Sequence, residues 1–154
     1  MKMRHMPAVL AGLMLIAAAP CGAQQQSMIG TWEIVDAQAA PWTEESQRAA
    51  LTAAGKRSIK QTVTFSAKEA KSKHKPLSCR RPLYEPTDYE ADAMFQGNLP
   101  EPNPTAAAVR LGFKKGAVPG VDVKCVNGSF SYHFRDRDIA LMALNNVIYT
   151  LKRQ

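Results

Sequence analysis

"VDVKCVNGSFSYHFRD", residues Val121 to Asp136, decides the fold. Val121, Val123 and Cys125 alternate with Asp122 and Lys124, the period of two of a strand that buries one face. Asn127-Gly128 supplies the two left-handed positions of a tight hairpin turn. The return strand puts Phe130, Tyr132 and Phe134 on one face and Ser129, Ser131 and His133 on the other. Beyond it, Ile139 to Leu144 and Val147 to Lys152 read as two more strands joined at Asn145-Asn146. The last third of the chain is therefore an antiparallel meander.

Upstream the pattern is similar but more broken. In "SIKQTVTFSA" the residues Ile59, Val63 and Phe65 fall on one side with Gln61, against Lys60, Thr62 and Thr64. Helix is a minority. After Pro41, Thr43 caps a helix whose first turn carries Glu44 and Glu45, where the helix dipole favours acids; it runs to Ala54 and meets Gly55 as a stop. A second helical stretch covers Thr105 to Leu111, after "NLPEPNP". Prolines cannot donate to a central ladder, so that region is expected to wrap the outside of the sheet. The middle, residues 76–96, holds one or two irregular strands, which brings the count to seven or eight. So many short antiparallel strands need their edges closed or covered, which favours a small up-and-down barrel in one domain, residues 24–154.

Two further stretches refine the fold. Gly30-Thr31-Trp32 opens the first strand, and "NNVIYTLKR", Asn145 to Arg153, closes the last. A Gly-x-Trp start followed by a meander with a basic end resembles the lipocalin-like barrels. The chain also resembles short exported bacterial proteins that begin "GTW…APW" and end "NNVIYTL", a likeness that implies an architecture and no activity. In lipocalin-like barrels the tryptophan plugs one end and a late arginine packs over its ring. The resemblance thus implies a plug of Gly30, Trp32 and Arg153, with about 0.5 to 2 kcal/mol from guanidinium on indole. Trp42 has no assigned role beyond seating the helix against the barrel.

The N-terminus belongs to export. Lys2 and Arg4 precede an apolar run from Ala8 to Ala19 that is too short to span a bilayer, and Pro20 to Ala23 offer small residues for cleavage. Residues 1–23 are accordingly expected to be a signal peptide, with a periplasmic or secreted product. Cys21 follows Ala18-Ala19-Pro20, so a lipid anchor there is the alternative, against which the proline and the missing leucine argue. Without Cys21 two cysteines remain, Cys79 and Cys125, and an oxidising compartment makes a disulfide the default. Closing that loop of about 46 residues contributes about 4 kcal/mol in the chain-entropy account.

Without Lys2 and Arg4, 18 basic side chains face 13 acidic ones, a net of +5. Much of the excess lies in "KEAKSKHKPLSCRR", Lys68 to Arg81, which reads as a solvated hairpin or loop with a positive rim. Little aromatic interleaving is present to stack bases, and an exported chain rarely meets nucleic acid, so none is expected as a partner.

Catalysis finds little support. No Gly-x-Ser-x-Gly, phosphate loop or paired-histidine zinc motif occurs, and neither does a C-x-x-C. His133 falls on the polar face of a strand and His74 in the lysine-rich stretch, both expected at the surface. Asp136 and Asp138 in "RDRD" read as turn caps paired with neighbouring arginines. Asp88, Glu90 and Asp92 alternate, but offer too few oxygens for calcium. No metal site and no cofactor is expected. What remains is recognition, through an interior that Trp32, Phe65, Phe130, Tyr132, Phe134 and Tyr149 either line or fill. The first expectation is a non-catalytic binding protein for a small apolar ligand. The alternatives are an inhibitor or immunity-type protein for an acidic protein partner, and a hydrolase.

Overall fold

A computed structural model describes residues 28–126 and 128–154. The signal peptide at 1–23, its cleavage site and Cys21 lie outside the described residues, as does Asn127 of the hairpin turn.

The chain forms strand β1 (Gly30–Ala39), helix α1 (Glu45–Lys56), strands β2 (Thr62–Phe65), β3 (Glu69–Ser72), β4 (Cys79–Arg80) and β5 (Leu83–Tyr89), helix α2 (Pro104–Arg110), and strands β6 (Val118–Cys125), β7 (Gly128–Phe134), β8 (Ile139–Leu144) and β9 (Val147–Arg153). These nine strands make one antiparallel sheet in the order β4-β3-β2-β1-β9-β8-β7-β6-β5, curled into a half-barrel. The expected seven or eight strands become nine because the lysine-rich stretch contributes the short β3 and β4. Their inward positions are only Ala70 and Cys79, so flanking charges hide the alternation.

All chain neighbours but β4 and β5 pair, and β1 meets β9, which leaves β4 and β5 as the two edges. The seam between them is bridged by side chains instead of a ladder. Cys79 of β4 is disulfide-bonded to Cys125 of β6, and the Tyr84 hydroxyl of β5 donates to the Ser66 carbonyl oxygen at 2.8 Å. Pro86 sits on the edge strand β5, where a missing N–H is harmless.

The sheet buries both faces. On the concave side Trp32, Ile34, Val63, Phe65, Val121, Val123, Tyr132, Phe134, Met142 and Leu151 form the main core. Helix α1 packs against β1 and β9 there, so closely that a Cβ on Gly55 would stand 2.7 Å from Val147 Cγ1 and 3.0 Å from the Ala37 Cβ. That proximity corrects the expected helix end: Gly55 is a contact point inside α1, not its stop. Thr43 is not the cap either; it is buried, its hydroxyl 3.4 Å from the Asn146 carbonyl oxygen. A bulge between Ile34 and Asp36 shifts the β1–β9 register in mid-strand.

On the convex side, residues 91–113 strap across β6 to β9. Met94, Phe95, Leu99, Ala107, Ala108 and Phe113 pack there against Val118, Leu141 and Ile148 in a second core. The helix within the strap begins at Pro104, with Asn103 capping it by accepting from the Ala106 N–H at 2.8 Å.

Candidate functional site

Trp32, Phe65, Tyr132 and Phe134, expected to line or fill the interior, are all at most 2 % exposed and pack on one another: Trp32 to Phe134 at 6.0 Å and Phe65 to Tyr132 at 5.4 Å between ring centroids. Tyr149 is buried in the same core, and Phe130 is half-buried against it. These side chains supply one another's contacts. At one end of the half-barrel, β1 and β9 place Trp32 opposite Arg153, whose guanidinium carbon lies 4.3 Å from the indole centroid. Arg153 also donates to the Ile29 carbonyl oxygen at 2.9 Å and lies 3.7 Å from an Asp138 carboxylate oxygen. Gly30 has φ +127°, and a Cβ there would stand 3.2 Å from the Arg153 Nη1, so this spot needs glycine on two counts. Asp136, meanwhile, accepts from the Asp138 N–H at 2.9 Å and so caps its turn.

His133 is the clearest correction. Its face of β7 reads as polar, yet the strap covers it and the ring is 0 % exposed. Nε2 accepts from the Phe95 N–H at 3.1 Å, so Nδ1 carries the proton, and among the described residues that Nδ1 meets no partner. The rings of Tyr89 and Phe95 meet it edge-on, each with its centroid at 4.5 Å. Burial drives its pKa down to about 4, and the nearby Asp122 carboxylate only partly opposes this, so the imidazole is neutral near pH 7. Beside it, Asp122 accepts from the Tyr89 hydroxyl at 2.5 Å and the Ser131 hydroxyl at 2.6 Å. Desolvation, with the Asp122 bond behind it, pushes the Tyr89 pKa up to about 12. The Ser131 proton points at a carboxylate and the acceptor nitrogen of His133 is taken by backbone. The cluster therefore ties β5, β6 and β7 together and braces the strap on β7.

What the cluster braces is a cleft. Phe95 and Gln96 are held in the left-handed region, at φ 50° and 63°, and so are Asn145 and Asn146 of the β8–β9 turn, at 52° and 60°. Between these two pairs lies a cavity of about 360 Å³, lined by Trp42, Phe95, Gln96, Asn98, Asn145 and Asn146, by Ser129, Phe130 and Ser131 of β7 and by Ala143 and Leu144 of β8, so Phe130 is the one expected ligand-contacting ring that reaches it. The Trp42 N–H donates to Asn146 Oδ1 at 3.0 Å, and its ring lies 5.8 Å from that of Phe95. Asn98 donates to the Phe95 carbonyl oxygen at 2.6 Å. Sequence reading takes Asn145-Asn146 as a turn and Trp42 as a helix seat, and has no reason to join them to Gln96. The two asparagines at consecutive left-handed positions beside the last strands were the available signal.

A second recess of about 980 Å³ opens along the β3–β4 edge, lined by Lys68, Lys71, Arg80 and Arg81 with Glu69. No carboxylate lies within ion-pair reach of those four cations among the described residues, and Val126 at its lip is 92 % exposed. His74, expected at the surface, is half-buried, with Nδ1 3.4 Å from the Ser58 hydroxyl; burial lowers its pKa. Among the described residues no group of three or more His, Cys, Asp or Glu side chains stands ready for a metal, and no helix is long and apolar enough to cross a membrane. No protein-family model, no curated protein and no solved structure matches the chain.

Proposed function

We propose that the chain is an exported, non-catalytic binding protein, a lipocalin-like barrel that takes a small ligand in its outer cleft and not inside its curl. The observation that carries this reading is the contrast between two places. The aromatic interior satisfies itself, ring against ring, whereas the cleft beside Trp42 is walled by side chains with hydrogen-bonding capacity to spare. Its size falls at the low end of the ~300–1,000 Å³ typical of small-molecule sites. Export is supported by the cross-strand disulfide, a bond that persists in oxidising compartments. Native mass spectrometry of the protein purified from the exported fraction tests the reading. The expected spectrum shows a chain beginning at Gln24, without lipid, carrying a retained small molecule that Trp42→Ala loses. Retention unaffected by Trp42→Ala would move the site elsewhere.

A second reading, an inhibitor that docks on an acidic protein partner, is favoured by the unpaired cations along the β3–β4 edge. Its mark would be a complex whose affinity falls steeply with salt and with Arg80→Ala/Arg81→Ala.

A further inference from the structure

We infer that the cleft beside Trp42 takes a neutral, polyhydroxylated ligand, a glycan with one sugar ring against the indole. This rests on the reading that the cleft is the binding site, and it adds what the ligand is made of.

Charge is the first argument. Charged residues make up 21 % of the chain, yet none of the residues lining the cleft is ionisable. An ionic ligand entering it would lose hydration with no opposite charge to meet. A wholly apolar ligand would cover Phe95, Phe130, Ala143 and Leu144, but it would strip water from the amides and hydroxyls beside them without replacing those bonds.

Those polar groups are the second argument. The carboxamides of Gln96 and Asn145 and the hydroxyl of Ser129 have no hydrogen-bond partner among the described residues. Asn98 has committed its nitrogen and keeps its oxygen, while Asn146 has committed its oxygen and keeps its nitrogen. Donors and acceptors therefore stand side by side around one small volume, all uncharged. Neighbouring sugar hydroxyls, each able to donate and accept at once, match that alternation.

Trp42 supplies the third. Its only polar group is already given to Asn146, so what the half-buried ring still offers is its π surface. The C–H face of a pyranose covers such a surface while its hydroxyls point outward to the amides. An extended peptide would also pair with amides, and beside the cleft β7 and β8 pair only at His133 to Leu141 and Phe134 to Ala140 before they part, so a peptide is the competing class that the titration must exclude. The wall is also set in advance: the Phe95 N–H is anchored on His133 and the Phe95 carbonyl on Asn98, so little ordering remains for the ligand to impose.

The test uses the two tryptophan indole N–H signals of the 15N-labelled protein as separate reporters, Trp42 at the cleft and Trp32 in the core. Cellobiose, maltose and N,N′-diacetylchitobiose are titrated as neutral sugars, oligogalacturonate as a charged one, trialanine as a peptide and anilinonaphthalene sulfonate as an apolar probe. At least one neutral disaccharide should move the Trp42 signal saturably and leave Trp32 in place. By isothermal titration calorimetry, which needs no indole reporter, Trp42→Ala should weaken that binding about tenfold or more, and Trp42→Phe, which keeps an aromatic face and guards against misfolding, should weaken it less. Ser129→Ala, at an exposed and unbonded position, should weaken it a few-fold with an unchanged melt. If trialanine or oligogalacturonate moves Trp42 and no neutral sugar does, the ligand class is overturned while the cleft stands as the site. Silence of Trp42 toward every probe overturns the glycan inference. A naphthalene sulfonate that moves Trp32 and not Trp42 overturns the cleft reading itself.

Discussion

The buried imidazole of His133 ties stability to pH. In the unfolded chain it titrates at its ordinary value of 6.5, and in the fold burial holds it down to about 4. Below pH 6.5 the unfolded state therefore binds a proton that the folded state refuses, and stability falls as pH falls. The stabilisation is fully present above pH 6.5 and lost by about pH 4. That interval of ~2.5 pH units corresponds to about 3 kcal/mol, of which about 2 kcal/mol is gone at pH 4.5. Carboxylates also titrate in this range, so the effect must be isolated. His133→Gln does so, because its carboxamide oxygen can take over the Phe95 N–H without titrating. Urea unfolding of both proteins at pH 7 and pH 4.5 should show the wild type losing about 2 kcal/mol more than the variant across that step. Equal losses, or an imidazole proton resonance of His133 that titrates near its ordinary value in the folded protein, would refute the burial argument.

Trp32→Ala empties one end of the concave core and strips Arg153 of its stacking surface, so urea unfolding should register a loss of about 3 to 5 kcal/mol; a loss under 1 kcal/mol would mean that Trp32 is dispensable. Cys79→Ser/Cys125→Ser opens a link across 46 residues and should cost about 4 kcal/mol, matched by reduction of the wild type, and denaturing thiol labelling before reduction should find neither cysteine reactive. Gly120→Ala places a Cβ 2.7 Å from both the Tyr132 carbonyl oxygen and the Tyr89 ring, which must swing off Asp122; the expected loss is about 1 to 3 kcal/mol, with a Tyr89 hydroxyl freed to titrate at lower pH, and an unchanged ultraviolet phenol titration would contradict it.

The readings that held were those in which one short stretch carries its own physics. Val121 to Phe134 alternates because Val121, Val123, Phe130, Tyr132 and Phe134 all face the one concave core, and the register Val121 to Tyr132 and Val123 to Phe130 puts those apolar residues side by side. Proline-rich 98–104 could not join a ladder, and it lies on the outside of the sheet. The readings that failed depend on what comes from elsewhere to cover a face. His133 looks solvent-facing in β7 because Ser129 and Ser131 share its side, but the strap that buries it is 20 and more residues upstream and has no alternation to announce it. The cleft is less legible still. Trp42 follows β1, Gln96 sits in the strap, Ser129 opens β7 and Asn145 turns β8 into β9, and only the pairing of β1 with β9 and the crossing of the strap bring the four together. No local motif could mark it, because what distinguishes it is an uncharged lining and amides left unbonded, properties that exist only once every other hydrogen bond has been assigned. The same logic explains the misplaced end of α1. A glycine before Lys56-Arg57 resembles a helix stop, but its missing side chain is required by Val147 across the interface, a constraint set 92 positions away in the chain.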